Sequence, residues 1–308
     1  MKSINRVTLI GLGAIGASIG QKLHELDPQM LTVLADEERI SRYQGKGIII
    51  NQQRIEFNYL PPEAPAEPAD LLLVAVKHHH LPATLQAVKN HVGLHTTILS
   101  LMNGITSEEI IGGHYGMEKM LYGVCVGIDA VREGTQTNYS TMGRVFFGEK
   151  ENTKRTARVQ SVEELFAHAA IPYEIPDDMM RTLWWKFMAN VGINQPSAIL
   201  GATYEVFQQM EEAKLLMEQT LKEVIALANA AGVNLADDDL TDFHRIIATF
   251  APGGKTSMLQ DIEAGRKTEV EMLAGTVVSM GKQYGIPTPV NEMLFHMLRV
   301  KEKMNGIA

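Results

Sequence analysis

A chain of 308 residues is long enough for two domains, and 45% hydrophobic with 21% charged content excludes a disordered or fibrous protein. The formal net charge of −8, from 28 basic and 36 acidic residues, argues against nucleic acid or an anionic membrane as the main partner. The single cysteine, Cys125, excludes an internal disulfide and points to the reducing cytoplasm, with a buried, inert thiol as the expectation.

Residues 6–10 read as a short buried strand, preceded by no signal-peptide pattern. Gly11-Leu12-Gly13-Ala14-Ile15-Gly16 follows at once, and then a helical pattern through Ile19, Leu23 and Leu26. This is G-x-G-x-x-G between a strand and a helix, the setting in which it binds a dinucleotide. The first glycine allows a tight turn, the second admits a pyrophosphate close to backbone, and the third lets helix and strand pack. The helix N-terminus supplies N–H groups and partial positive charge for the phosphates. A second strand, 31–34, leads to Asp36, 20 residues after Gly16. An acidic group there accepts hydrogen bonds from a free ribose 2′-hydroxyl and so argues for NAD(H) over NADP(H). Arg39 and Arg42 follow and read as solvated charges on a helix, within reach of a 2′-phosphate.

Residues 48–57 resemble a polar-edged hairpin, and Pro61, Pro62, Pro65 and Pro68 mark a loop. The run from Asp70 to Lys77 is the clearest buried parallel strand; its aliphatic stretch, 71–76, is far too short to span a bilayer. Ligands of open α/β sheets sit beyond the carboxyl ends of strands, which puts Lys77 near the cofactor cleft. His78, His79 and His80 cannot all face one metal, and no metal site is expected. Another strand, 97–101, ends in Met102-Asn103-Gly104. Asn103 can reach a nicotinamide amide or a substrate oxygen, or can simply form an Asn-Gly turn. Strands near 121–128 and 143–148, with Gly134 in the turn between them, complete the sheet. A helix over 157–170 and then Pro172 and Pro176 close this domain, so the expected division is 1–175 and 176–308.

From Asp177, an apt helix N-cap, only helices are expected: long ones over about 205–232 and 257–284, shorter ones near 237–250 and 290–304. In the helix that opens this half, Lys186, Asn190 and Asn194 stand four residues apart on one side, about 6 Å per step. Almost everything around them is apolar: Leu183, Trp184, Phe187, Met188, Val191 and Ile193. Polar groups on so apolar a helix need partners. They suit a small polar ligand or another polar face of the protein. In the later stretch, Arg266 and Glu269 interrupt an apolar stripe of Leu259, Ile262, Leu273 and Met280. They read as a surface ion pair, or as a carboxylate meeting Lys186 or a substrate hydroxyl. On a regular helix Ser257 and Glu269 are about 18 Å apart, at two ends of a cleft.

These features resemble the ketopantoate reductase (2-dehydropantoate 2-reductase) family. The glycine turn, the Val76-Lys77 strand end, Asn103-Gly104 and the Trp184-x-Lys186 pattern with Asn190 and Asn194 carry the likeness. The most distinctive match is Ser257-Met258-Leu259-Gln260-Asp261 through Arg266-Lys267-Thr268-Glu269, followed by Tyr284-Gly285-Ile286-Pro287. The resemblance implies an α/β fold with an N-terminal Rossmann-type dinucleotide-binding domain followed by an all-α C-terminal domain. It implies reduction of ketopantoate to pantoate by NADPH, on the route to pantothenate and coenzyme A. By resemblance Lys186 is the general acid, Glu269 and Ser257 hold substrate, Asn190 and Asn194 add polar contacts, and Asn103 sits between nicotinamide and substrate. A small 2-oxo acid is then the partner, with a homodimer left open. Three positions depart from the family: Asp36 where NADPH-using members carry arginine, His80 where glutamine is frequent, and Gly254 where some members place a substrate-touching asparagine. Asp36 and Gly254 favour an alternative, an NAD-dependent dehydrogenase for another branched or aromatic 2-hydroxy acid. A non-catalytic dinucleotide sensor is the alternative of another class; it has no need of a proton donor such as Lys186.

Overall fold

The computed structural model describes residues 3–307; Met1, Lys2 and Ala308, the outermost residues of the two expected domains, lie outside it. The chain divides into two compact units, one ending at Thr182 and the next beginning at Leu183.

The first unit alternates strands and helices: β1 (Val7–Ile10), α1 (Ala14–Leu26), β2 (Leu31–Leu34), α2 (Glu37–Lys46), β3 (Ile48–Ile50), β4 (Gln53–Ile55), β5 (Asn58–Leu60), β6 (Leu71–Val74), α3 (Leu81–Ala87), β7 (Thr97–Ser100), α4 (Ser107–Tyr115) and β8 (Met120–Ile128). Then come β9 (Val131–Glu133), β10 (Gln136–Asn138), β11 (Met142–Gly148), α5 (Ala157–His168) and β12 (Tyr173–Glu174). Among the described residues, eight strands form one sheet in the order β12-β11-β8-β7-β6-β1-β2-β5. All its pairs are parallel except β11 with β8. Alternate residues of β6 explain its unbroken apolar run. Leu71 and Leu73 pack on the α1 and α5 side, and Leu72 and Val74 on the α3 and α4 side. Both faces exclude water, so neither can be polar. The expected hairpin is β3–β4, turning at Asn51 and Gln52 with φ of 46° and 69°. It extends into a small second sheet, β4-β3-β10-β9.

Helix α6 (Met179–Leu200) leads into the second unit, followed by α7 (Tyr204–Gln209), α8 (Glu211–Ala230), α9 (Asp237–Ala248), α10 (Ser257–Glu263), α11 (Thr276–Tyr284) and α12 (Pro289–Met304). Three expectations are corrected here. The cap of α6 is Asp178, whose side chain accepts from the Arg181 amide at 2.8 Å, whereas the Asp177 carbonyl is bound by the Asn152 amide. The stretch 205–232 is two helices, because Met210 is extended (φ −95°, ψ 123°). Gln208 anchors the first of them by donating to the carbonyls of Ile247 and Phe250, each at 2.9 Å. The stretch 257–284 also breaks. Gly265 adopts φ +63°, a left-handed helix stop, and the Arg266 amide folds back onto the Asp261 carbonyl at 2.8 Å. The chain resumes as a wide turn of π-helix, Glu271–Gly275, before α11. Ser257 and Glu269 therefore do not lie along one regular helix, and the 18 Å separation expected of one does not apply.

Gly192 brings α6 and α8 together: a Cβ there would lie 2.2 Å from Leu221 Cδ2. At its far end Lys301 Nζ donates to the carbonyls of Ala198 and Ile199, at 2.7 and 2.9 Å. That satisfies helix-end acceptors which have no partner within α6. Among the described residues no helix is long and apolar enough to cross a membrane.

Candidate active site

The register of the first sheet aligns Leu34, Ile10, Val74 and Ser100 as one row across β2, β1, β6 and β7. The residues that follow these strands share one edge: Asp36, the Gly11–Gly13 turn, Lys77 and Asn103. Three strand spacings separate the ends of this row, roughly 14 Å. That suits an extended dinucleotide laid across the strand ends.

The glycines divide by cause. Gly11 has φ +98°, and a Cβ on it would lie 2.4 Å from the Ala75 carbonyl oxygen. A Cβ on Gly16 would lie 1.9 Å from the Gly11 carbonyl oxygen. Both are needed by the turn itself. Gly13 is different, since a Cβ there would meet only the Ala75 oxygen, at an ordinary 3.9 Å. Its backbone (φ −70°, ψ −170°) also suits any residue. Neither backbone strain nor a close contact calls for glycine at 13, whereas a phosphate resting on this turn would. Leu12 is buried beneath the turn, Ala14 and Ile15 form the first turn of α1, and no side chain caps that helix. Its leading N–H groups thus face the edge without a side-chain acceptor, so the turn fits a pyrophosphate.

Asp36 stands at the end of β2, and its side chain has a local duty as well. One oxygen accepts from the Arg39 amide at 2.7 Å as the N-cap of α2, and the other lies 3.5 Å from Arg39 Nε. Lys77, half-buried, precedes a single 3₁₀ turn of His78–His80, with the rings of His79 and His80 4.2 Å apart. Partial burial, then the charges of Arg39 and Lys77, hold the His80 imidazole below its ordinary pKa. Arg39 thus faces both the Asp36 carboxylate and the His80 ring. Asn103 is half-buried beside Gly104, whose φ of +96° completes an Asn-Gly turn.

Beneath that turn lies a group that sequence reading missed. Glu108, 1% exposed, accepts from Ser107 Oγ at 2.9 Å and, over a long 3.5 Å, from the Gly123 amide. Ser107 Oγ is 2.8 Å from Ser100 Oγ, which accepts from the Met102 amide at 3.4 Å. The chain of contacts thus ends one residue before Asn103. Burial raises the Glu108 carboxyl to about 7.

In the second unit, Lys186, Asn190 and Asn194 occupy successive turns of α6. Lys186 is half-buried, while Asn190 and Asn194 are 9% and 7% exposed. Asn194 Nδ2 donates to the Asn190 carbonyl at 3.0 Å, and its Oδ1 accepts from Ser257 Oγ at 3.2 Å. Thr256, the N-cap of α10, donates to Ser197 Oγ at 3.0 Å. These two contacts hold the start of α10 on the polar side of α6. Glu269 is half-buried, on the turn that reverses after Gly265. Gly254 lies against an aromatic ring, since a Cβ on it would come 2.9 Å from Tyr204 Cδ2. Tyr204 in turn stacks edge-on with Phe250, centroids 4.9 Å apart.

Two family profiles match the chain. "Ketopantoate reductase PanE/ApbA" covers residues 7–152, and its C-terminal counterpart covers residues 178–302. The 2-dehydropantoate 2-reductase of Streptococcus pyogenes serotype M3 is 23% identical over 305 residues, 98% of this chain and 99% of that protein. A D-mandelate dehydrogenase solved with NADH and anilino(oxo)acetate has a TM-score of 0.89 at 21% identity, over 98% of this chain and 100% of that one. A dimeric ketopantoate reductase from Staphylococcus aureus has a TM-score of 0.83 at 20% identity, over 98% and 100%. At such identities the solved structures bear on the fold alone. With its strand-end edge matched by one profile and its helical unit by the other, the chain belongs to the ketopantoate reductase family of oxidoreductases.

Proposed function

We propose that this chain reduces the 2-oxo group of a small 2-oxo acid, ketopantoate in the first instance, with Lys186 as general acid. The observation that supports this most is the polar run of Lys186, Asn190 and Asn194 on an otherwise apolar helix, joined by Ser257. The Gly11–Gly16 turn, Asp36, Lys77 and Asn103 would hold the nicotinamide cofactor, which would supply the hydride. As negative charge grows on the carbonyl oxygen, the Lys186 ammonium stabilises it and then delivers the proton. Asn190 and the second amide hydrogen of Asn194 are neutral donors, able to hold a carboxylate without a competing charge, and Ser257, whose proton goes to Asn194 Oδ1, orients that amide and offers its oxygen as an acceptor. Glu269 accepts from the substrate's hydroxyl. Proximity and orientation of these groups carry much of the rate.

A second reading has specific support: an NAD-dependent dehydrogenase for another branched or aromatic 2-hydroxy acid. The Asp36 carboxylate favours a ribose with a free 2′-hydroxyl. Gly254 favours this reading too, since Tyr204 fills the space that a longer side chain at 254 would take. NADPH remains the family's cofactor, with Arg39 and Lys77 at hand for its 2′-phosphate. The likeness to a dimeric reductase is compatible with a homodimer, and a biosynthetic role fits the cytoplasm. The test is a grid of ketopantoate, branched and aromatic 2-oxo acids against NADH and NADPH. Ketopantoate should give the highest kcat/KM under the first reading, and an aromatic or other branched acid with NADH under the second. Absence of turnover with every pair refutes both.

A further inference from the structure

The inward face of α12 runs Leu294, Leu298, Glu302, four residues apart, and all three are buried at 3%, 0% and 2% exposure. Helical periodicity calls for a third leucine at 302. A buried carboxylate is costly unless hydrogen bonds compensate it, and an apolar side chain of similar size is commonly as stable or more so. The contacts of Glu302 show what it gains. Its Oε1 accepts from the Thr268 amide at 2.9 Å and from Thr268 Oγ1 at 2.6 Å. Thr268 is 1% exposed, and its hydroxyl also accepts from the Val270 amide at 3.3 Å. Both bracketing residues of Glu269 are thus tied down, and Val270 is itself in the core at 0% exposure.

The clamp reaches further on each side. Arg299, also on α12, pairs with Glu271 and lies 3.7 Å from Glu302 Oε2. Arg266 Nε pairs with Asp261 at 2.9 Å. Between Arg266 and Glu271 the chain is neither α-helix nor strand, and Glu269 enters the following helical turn through its carbonyl, which accepts from the Leu273 amide at 2.9 Å. The contacts that fix Thr268, the residue before Glu269, come from α12. Lys301, the neighbour of Glu302, holds the end of α6, the helix that carries Asn190 and Asn194. Two adjacent residues of one helix therefore brace both segments of the proposed substrate site.

We propose that Glu302, acting through Thr268, is a positioning residue for Glu269 and sets the affinity and reactivity of the enzyme toward its 2-oxo acid. The inference rests on the reading of Glu269 as a substrate-holding carboxylate. It assigns Glu302 no contact with substrate or cofactor.

The test compares Glu302→Leu, Glu302→Gln, Thr268→Val and Thr268→Ser in the full chain, with Glu269→Gln as the reference. Melting temperature, reduced-nucleotide Kd by fluorescence titration, and KM and kcat for the best 2-oxo acid are read for each. Glu302→Leu and Thr268→Val should lower kcat/KM about tenfold to a hundredfold, a loss typical of misplacement by a fraction of an ångström to one ångström. KM should rise, while nucleotide Kd stays within about twofold. Glu302→Gln and Thr268→Ser keep an acceptor oxygen and a hydroxyl, and should recover most of that loss. If Glu302→Leu does not fold, the two Thr268 variants carry the comparison alone. Unchanged kcat/KM in Glu302→Leu or Thr268→Val, with Glu269→Gln impaired, overturns the inference and leaves the reading of Glu269 standing. An equal loss in Glu302→Gln and Glu302→Leu also overturns it. If Glu269→Gln keeps wild-type kinetics, the reading and the inference fall together.

Discussion

Glu108 makes the stability of the first unit depend on pH in a direction opposite to that of most carboxylates. Its carboxyl titrates near 7 when folded, against an ordinary value of 4.5, because burial opposes the charge. The contacts with Ser107 and Gly123 pull the other way but do not offset desolvation, and the nearby Glu109 adds to the rise. Tyr122, with Lys150 over its ring, feels the Glu108 and Glu109 charges in turn. The folded chain holds this proton more tightly than the unfolded chain does. The associated stability is complete below about pH 4.5 and is lost as pH rises through about 7. The interval from 4.5 to about 7 corresponds to roughly 3 kcal/mol over that window. Glu108→Gln imitates the neutral acid in shape and hydrogen bonding and cannot ionise. Urea unfolding followed by circular dichroism at pH 5 and pH 8, for both proteins, isolates the effect. The variant should gain on the wild type by roughly 2.5 kcal/mol between the two pH values. A stability difference that stays flat over this range refutes the argument, as does a Glu108 carboxyl ¹³C resonance with its midpoint near 4.5.

Three further outcomes are expected. Gly16→Ala places a Cβ against the Gly11 backbone and should destabilise by 2 kcal/mol or more on the order of a severe steric clash, whereas Gly13→Ala should melt like the wild type yet bind reduced nucleotide at least about tenfold more weakly; calorimetry and fluorescence titration check the pair. Lys186→Met should lower kcat by about a hundredfold or more with nucleotide Kd nearly intact, and an unchanged rate removes Lys186 from the mechanism. Gly254→Asn must displace the Tyr204 ring, and should change relative kcat/KM between aromatic and aliphatic 2-oxo acids more than it changes nucleotide Kd.

The parts of the fold legible in the sequence are those whose signal is local. Strands β1, β2, β6 and β7 are short runs of mostly aliphatic residues, unbroken only in β6. The glycine turn needs only six residues and its flanks, and Lys186, Asn190 and Asn194 appear once a period of 3.6 is imposed. What stayed hidden depends on distant partners or on very short elements. Strands β5, β9, β10 and β12 have two or three residues each, too few to display alternation. The break at Met210 carries neither glycine nor proline to announce it. Gly265 did carry a stop signal, but the apolar stripe on either side of it suggested continuity. Glu108 and Glu302 look like solvated charges until Ser100, Gly123 and Thr268 are brought to them from elsewhere in the chain. Ser257 and Asn194, 63 positions apart, pair for the same reason.

The N-cap duty of Asp36 would tie its proposed part in dinucleotide choice to local architecture. Exchanging it for arginine to welcome a phosphorylated ribose would also strip α2 of its cap, a loss of about 1 kcal/mol. Serine or asparagine would remove the negative charge while still anchoring the first turn. Redirecting this enzyme between its two candidate coenzymes is therefore a problem in helix initiation as much as in electrostatics.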